Sequence, residues 1–185
     1  MKIILGLAGE IASGKGTVSA YLKEEHGGSV QRFSTSLRDV AKRMHLEESR
    51  ENLQKISTVF RENFDDNILS RVISEDIKND ESEVIIVDGV RRLADINYLK
   101  DLPGFKLVYL EVDLDKRYQR IVKRRENSDD AEKTYEEFKA DHEREAELQV
   151  HDLKNYADFV IDNNGTFQEL YHQVEKVIEG LGNAK

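Results

Sequence analysis

The stretch GEIASGKGT, residues 9–17, constrains this chain more than any other. It follows an apolar run, Ile3, Ile4, Leu5 and Leu7, and leads into Val18, Tyr21 and Leu22 at helical spacing. The order is a strand, a tight glycine-rich loop and a helix start. Successive backbone N–H groups in such a loop, together with the positive end of the helix that follows, favour a bound phosphate. Gly9 and Gly14 let the loop bend and let its backbone approach an anion that a side chain would hold off. Lys15 adds a mobile positive charge. The spacing G-x-x-x-x-G-K is that of the P-loop, in which the lysine reaches the β and γ phosphates of a nucleotide.

Gly16 stands where Ser or Thr usually follows the lysine, and Thr17 comes one residue later. In this the loop resembles those of nucleoside monophosphate kinases, which often read GKGT, more than those of GTPases or motor ATPases, which read GK[ST]. The resemblance implies ATP and Mg²⁺ as cofactors. Gly9, Ala12, Ser13, Gly14, Lys15, Gly16 and Thr17 would contact the nucleotide, and Thr17 would offer an oxygen to the metal. A glycine-rich turn with a chance lysine is the plain alternative.

The chain of 185 residues is within reach of one domain, and no stretch has the composition of a dividing linker, so residues 1–185 are expected to share one core. With 35% charged residues and a formal net charge of −9, a broad surface for polymeric nucleic acid is not expected, and an anionic ligand must be held by a focused cluster. The absence of cysteine excludes disulfides, thiolate catalysis and Cys-based zinc sites, and suits a reducing compartment. No membrane-spanning run or signal peptide is evident, which sets the expectation of a cytoplasmic protein with no membrane partner.

Further along, residues 17–25 fit an amphipathic helix ended by Gly27 and Gly28, and residues 29–33 a short strand. Ser36 and Asp39 are spaced as a loose capping box for the next helix. Helical spacing recurs over residues 50–64 and 67–78. The run Val84, Ile85, Ile86 and Val87 suits a central parallel strand buried on both faces. Residues 93–102 are expected to form a helix, 105–112 a strand, 114–125 a basic helix and 158–162 the last strand. Thr134 with Glu137, and Thr166 with Glu169, are spaced as capping boxes, the first for a long charged helix toward Leu153 and the second for a helix ending at Gly180. Alternating strands and helices imply a parallel sheet covered on both faces. The predicted fold is therefore α/β: a P-loop three-layer sandwich, a five-stranded parallel sheet with helices on both faces and a short lid. An acceptor-binding helical insertion is placed at about residues 35–80 and the lid at about residues 117–145.

Asp88 ends the most apolar strand, as a Walker B carboxylate does, and ligands of open parallel sheets bind beyond the carboxyl ends of their strands. There it would hold Mg²⁺ or accept a proton from an acceptor hydroxyl; a turn-forming Asp before Gly89 is the alternative. Arg91 and Arg92 follow, and guanidinium forks suit phosphate. Arg117, Arg120, Lys123, Arg124 and Arg125 form a dense basic cluster in an acidic chain, with Arg117, Arg120 and Arg124 spaced to share a helix face. Arg120 and Arg124 are candidates for cations that close over a transferring phosphoryl group. The alternative is a surface helix paired with the acidic helix after it.

LQKISTVFRENFDDNILSRVI followed by IIVDGVRR is similar to the layout of deoxynucleoside monophosphate kinases and archaeal adenylate-kinase-related proteins. That resemblance implies that Arg91 faces phosphate, with Arg38 and Arg61 as weaker acceptor-site residues. HEREAELQVHDLKNYADFVIDNNGTFQELYHQV resembles the C-terminal part of dephospho-CoA kinases. It implies that Arg144 also faces phosphate, and that Asn163, Asn164 and Gly165 form the loop beside the nucleotide base. The five histidines show no H-E-x-x-H pattern and are expected to be structural or exposed. The leading expectation is an ATP-dependent nucleotide kinase, with a nucleoside monophosphate and dephospho-CoA as rival acceptors. A P-loop regulatory module is the reading from another class, although the guanine-reading N-K-x-D is absent and the D-x-x-G at Asp101 to Gly104 precedes a strand instead of ending one.

Overall fold

The structure is a computed structural model that describes residues 2–124, 134–142 and 145–182, and its description of side chains leaves out 124, 141–142 and 145–148. Parallel strands in the order β2-β3-β1-β4-β5 form a five-stranded sheet. They are β1 (Ile3–Ala8), β2 (Ser29–Arg32), β3 (Val84–Asp88), β4 (Phe105–Glu111) and β5 (Phe159–Asp162). The helices are α1 (Lys15–His26), α2 (Phe33–Arg43), α3 (Arg50–Asn63), α4 (Ile68–Asn79), α5 (Leu114–Arg124), α6 (Tyr135–His142), α7 (Glu145–Asp152) and α8 (Phe167–Gly182).

The two-residue alternation of the strands divides the core between the faces. From β1, Ile4 and Ala8 join Leu37, Leu53, Leu69 and Ile73 of α2, α3 and α4 on one face. Leu5 and Leu7 join Val18 and Leu22 of α1 and Leu170 and Val174 of α8 on the other. Val84 to Val87 are buried throughout, as expected of a strand covered on both sides. This is the α/β three-layer sandwich that the sequence predicts.

Strand order places the site. β1 lies between β3 and β4, so the chain leaves β1 toward β2 on one side and later returns to place β4 on the other. The carboxyl end of β1 is therefore a switch point, where a crevice opens above the sheet. Register brings Leu7 opposite Asp88 and Ala8 opposite Tyr109, so residues just beyond Ala8 lie between the ends of β3 and β4.

Four local expectations change. α2 begins at Phe33 directly after β2, with no side-chain cap, and Ser36 Oγ donates to the Phe33 carbonyl at 3.3 Å instead of capping a helix with Asp39. The helix expected over 93–102 is a single 3-10 turn, Leu93–Ile96, because the Asp95 carboxylate collects the N–H groups of Arg91 and Arg92 at 2.8 and 3.1 Å and tightens the chain there. The charged segment before Leu153 comprises α6 and α7, and α8 extends to Gly182. Among the described residues no helix is long and apolar enough to cross a membrane.

Candidate functional site

The loop from Gly9 to Gly14 leaves β1 and opens α1 in a conformation that calls for glycine at its two ends. Gly9 has φ 143° and Gly14 φ 100°. A Cβ on Gly9 would lie 2.7 Å from the Leu110 carbonyl oxygen, and one on Gly14 would lie 2.3 Å from Asn163 Nδ2. Ala12 also has a positive φ, 61°. The loop ends at the N-terminus of α1, whose first N–H groups have no carbonyl within the helix to bond and so present a site for an anion. A Cβ on Gly16 would meet nothing within 4 Å, so packing does not impose the glycine that replaces the usual Ser or Thr.

Lys15 Nζ folds back onto the loop, donating to the Gly9 carbonyl at 2.5 Å and the Glu10 carbonyl at 3.0 Å. Its ammonium thus sits at the mouth of the loop, bonded to weak neutral acceptors that an anionic phosphate can replace.

The loop is braced from the opposite side by residues far along the chain. Asn163, buried just after β5, donates its Nδ2 to the Ser13 carbonyl at 2.8 Å. Arg120 of α5 donates to the Ala12 carbonyl at 3.3 Å and the Asn163 carbonyl at 2.8 Å. Burial lowers the pKa of the Arg120 guanidinium from its ordinary value. Arg117, one turn earlier, pairs with Glu10 at 3.2 Å, bonds the Val112 carbonyl at 3.2 Å and lies over the Phe138 ring, 5.7 Å from its centroid. Arg117 is thus a buried structural cation, not a member of a mobile or solvated basic face.

Asp88 ends β3 beside β1, and Arg32, its register partner at the end of β2, donates Nε to Asp88 Oδ2 at 3.3 Å. Arg91 is exposed, and its backbone N–H is held by Asp95. Arg61 donates to Asp95 at 2.6 Å with a side chain only 9% exposed, an arrangement in which it braces the 88–95 loop. Arg38 lies at the surface, 3.2 Å from Glu48. A Cβ on Gly165 would lie 2.2 Å from Glu169 Oε2, a carboxylate that takes part in the Thr166 capping box. The side chain of Arg124, and Arg125, Arg144 and the expected lid segment 126–133, lie outside the described residues.

For a metal, the donor set matters. Thr17 in the first turn of α1 and Asp88 on the neighbouring strand are hard oxygen donors, and among the described residues no group of three or more His, Cys, Asp or Glu is built to cage an ion. Such a set fits Mg²⁺, which keeps most of its water and phosphate ligands and takes few from protein.

A family model described as an AAA domain, AAA_17, matches residues 8–139, from the end of β1 into α6. The chain belongs to the AAA_17 family. Among curated relatives, the UPF0200/UPF0201 protein of Archaeoglobus fulgidus is 30% identical over 182 residues, 96% of this chain. The chain spans only 55% of that relative's length. A UPF0200 protein of Saccharolobus islandicus is 29% identical over 183 residues, covering 97% of this chain and 93% of the relative. Among solved structures, the Thermus thermophilus protein TT1252 superposes with a TM-score of 0.66 at 19% identity, covering 97% and 98% of the two chains. A shikimate kinase from Bacteroides thetaiotaomicron does so with a TM-score of 0.63 at 14% identity, over the same shares. At these identities the likeness is one of fold, and the fold of this AAA_17 member is that of the P-loop kinases.

The structure brings Gly9, Ala12, Ser13, Gly14, Lys15, Arg120 and Asn163 together around one loop, with Asp88 on the adjoining strand end. Residues not singled out from the sequence are Glu10, Arg32 and Asp95. Arg32 was discoverable in principle as the last residue of the strand beside Asp88, but only once the register of β2 on β3 is known.

Proposed function

We propose that this protein is an ATP-dependent kinase that transfers the γ-phosphoryl group of ATP to a nucleotide-type acceptor, a nucleoside or deoxynucleoside monophosphate. The observation that carries this reading is the loop between Gly9 and Gly14, held at the switch point with Lys15 at its mouth and Asp88 on the next strand. Membership of AAA_17 and the fold likeness to shikimate kinases support it.

In this reading the loop N–H groups and Lys15 bind the donor phosphates, and Lys15 exchanges the Gly9 and Glu10 carbonyls for phosphate oxygens. Bound Mg²⁺, held by Asp88 and Thr17 directly or through water, would neutralise charge on the donor. Transfer breaks the bond from the γ phosphorus to its bridging oxygen and forms one to the acceptor oxygen, in line. A monophosphate acceptor attacks through an oxygen that is already anionic, so no base is needed and Asp88 serves the metal. Arg91, exposed beside Asp88, orients the acceptor phosphate.

A hydroxyl acceptor, as in dephospho-CoA kinases, is the second reading. It is favoured by the engagement of two acceptor-site candidates: Arg61 is bound to Asp95 and Arg38 faces Glu48, which leaves fewer open cations for an acceptor phosphate among the described residues. Then the hydroxyl proton passes to Asp88 as the new bond forms. The test is ATP consumption with each nucleoside monophosphate, each deoxynucleoside monophosphate and dephospho-CoA. Transfer to a monophosphate supports the first reading and transfer to dephospho-CoA the second. ADP and ATP binding without transfer to any acceptor would replace both with a regulatory module.

A further inference from the structure

Asn163 is 5% exposed and follows the carboxyl end of β5, across the sheet end from the P-loop. Its backbone N–H, its backbone carbonyl and its side-chain Nδ2 are engaged with that loop or its supports. Its backbone N–H donates to the Glu111 carbonyl at 2.9 Å, its Nδ2 to the Ser13 carbonyl at 2.8 Å, and its carbonyl accepts Arg120 Nη2 at 2.8 Å. Arg120 Nη1 completes the bracket by reaching the Ala12 carbonyl at 3.3 Å.

The residue after it is anchored as well. Asn164 Oδ1 accepts the Asp113 N–H at 3.0 Å, and the Asn164 carbonyl accepts Lys116 Nζ at 2.5 Å. Gly14 completes the fit, because any Cβ there would run into the Asn163 amide. A buried amide in such a place carries a cost unless its bonds are made, and here those bonds take up carbonyls of the P-loop itself.

A loop built to bind anions through its N–H groups has carbonyls that must point elsewhere. The structure assigns Asn163 as a positioning residue: with Arg120, it captures the Ser13 and Ala12 carbonyls and thereby holds the loop N–H groups ready for phosphate before any nucleotide arrives. This rests on the nucleotide-binding reading above. It gives Asn163 a part different from the contact with the base that the sequence resemblance implies, since its side chain faces the P-loop backbone.

The test uses the whole chain with ADP as the probe. Asn163→Asp keeps the shape but sets an acceptor against the Ser13 carbonyl, and Asn163→Ala removes the amide. Two quantities are measured: ADP affinity by calorimetry, and amide hydrogen exchange over residues 9–16 without nucleotide. Both variants are expected to weaken ADP binding about tenfold, the loss of one buried hydrogen bond, and to speed exchange in the loop. A residue that only supports the fold would lower the melting temperature and leave ADP affinity within about twofold of wild type; that result overturns the assignment. If Asn163→Ala fails to fold, Asn163→Asp decides. Absence of ADP binding by the wild-type protein would overturn the nucleotide reading. The exchange measurement needs no nucleotide, so unchanged exchange over residues 9–16 in both variants overturns the brace on its own.

Discussion

Glu10 and Arg117 form an ion pair at 3.2 Å in which neither side chain has more than 10% of its surface exposed. It joins the P-loop to the first turns of α5, so the phosphate-binding loop and the basic helix are one packed unit. Removing one member leaves the other charge buried without its partner, the costly way to break such a pair. Arg117→Met is expected to cost about 3 to 5 kcal/mol in urea unfolding. The double variant Glu10→Gln with Arg117→Met should recover a large part of that loss. An equal loss in single and double variants would show that the packing of Arg117 on Phe138, and not the charge pair, dominates.

Lys15 bonds its own loop, through the Gly9 and Glu10 carbonyls and Ser13 Oγ. Lys15→Ala should therefore leave the melting temperature nearly unchanged, a shift corresponding to about 1 kcal/mol or less, while turnover of ATP with the acceptor found in the panel is abolished. Wild-type turnover by the variant would remove the P-loop from the mechanism.

What the sequence reveals about this fold depends on how local the cause is. The two capping boxes are legible because three-residue spacing makes them, and both are present: Glu137 Oε2 accepts the Thr134 N–H at 2.8 Å, and Glu169 Oε2 accepts that of Thr166 at 2.7 Å. The loop glycines are legible for the same reason. Ser36 and Asp39 carry similar spacing yet cap nothing, because β2 runs straight into α2 and the helix has already begun. The brace behind the P-loop is illegible because its members lie far apart; Asn163 and Ser13 are separated by 150 positions. Arg61 illustrates the same limit. The sequence resemblance makes it a candidate cation for an acceptor, whereas a partner 34 residues away, Asp95, takes its guanidinium.

Asp80 ties the edge strand β2 to the turn before β3, and its ionisation should be visible in acid. Burial opposes its charge, but bonds from Ser29 Oγ at 2.5 Å, the Ser82 N–H at 2.9 Å and Gln31 Nε2 at 2.8 Å outweigh that and hold the carboxyl down to about 2, from an ordinary 3.8. A carboxyl whose pKa is lower folded than unfolded stabilises the fold fully above the unfolded value. That contribution is lost as pH falls from about 4 toward about 2. After allowance for solvent screening it is on the order of 1 kcal/mol. Asp80→Asn should therefore be less stable than wild type at pH 7, with the difference shrinking by pH 2. A difference in unfolding free energy that stays constant across that window would show that the hydrogen bonds matter but not the charge.

Asp88 and Arg32 meet at 3.3 Å at the carboxyl ends of adjacent strands, and their removal separates chemistry from surface pairing. As an ion pair they contribute little, since Arg32 is 59% exposed and such pairs are worth about 0 to 1 kcal/mol. Both Asp88→Asn and Arg32→Gln should therefore leave stability nearly unaltered. Their kinetics should diverge. Asp88→Asn keeps size and hydrogen bonding but loses the charge needed for Mg²⁺ or for the acceptor proton, so kcat should fall by orders of magnitude. Arg32→Gln leaves that carboxylate in place and should change kcat only a few-fold. Titrating Mg²⁺ at saturating ATP distinguishes the two parts Asp88 can play. If it serves the metal, the variant's residual turnover requires more Mg²⁺ than the wild type; if it accepts a proton, the Mg²⁺ requirement is unchanged and only the maximal rate drops. Wild-type turnover by Asp88→Asn at limiting Mg²⁺ would reduce Asp88 to a turn residue before Gly89 and leave the P-loop without its carboxylate.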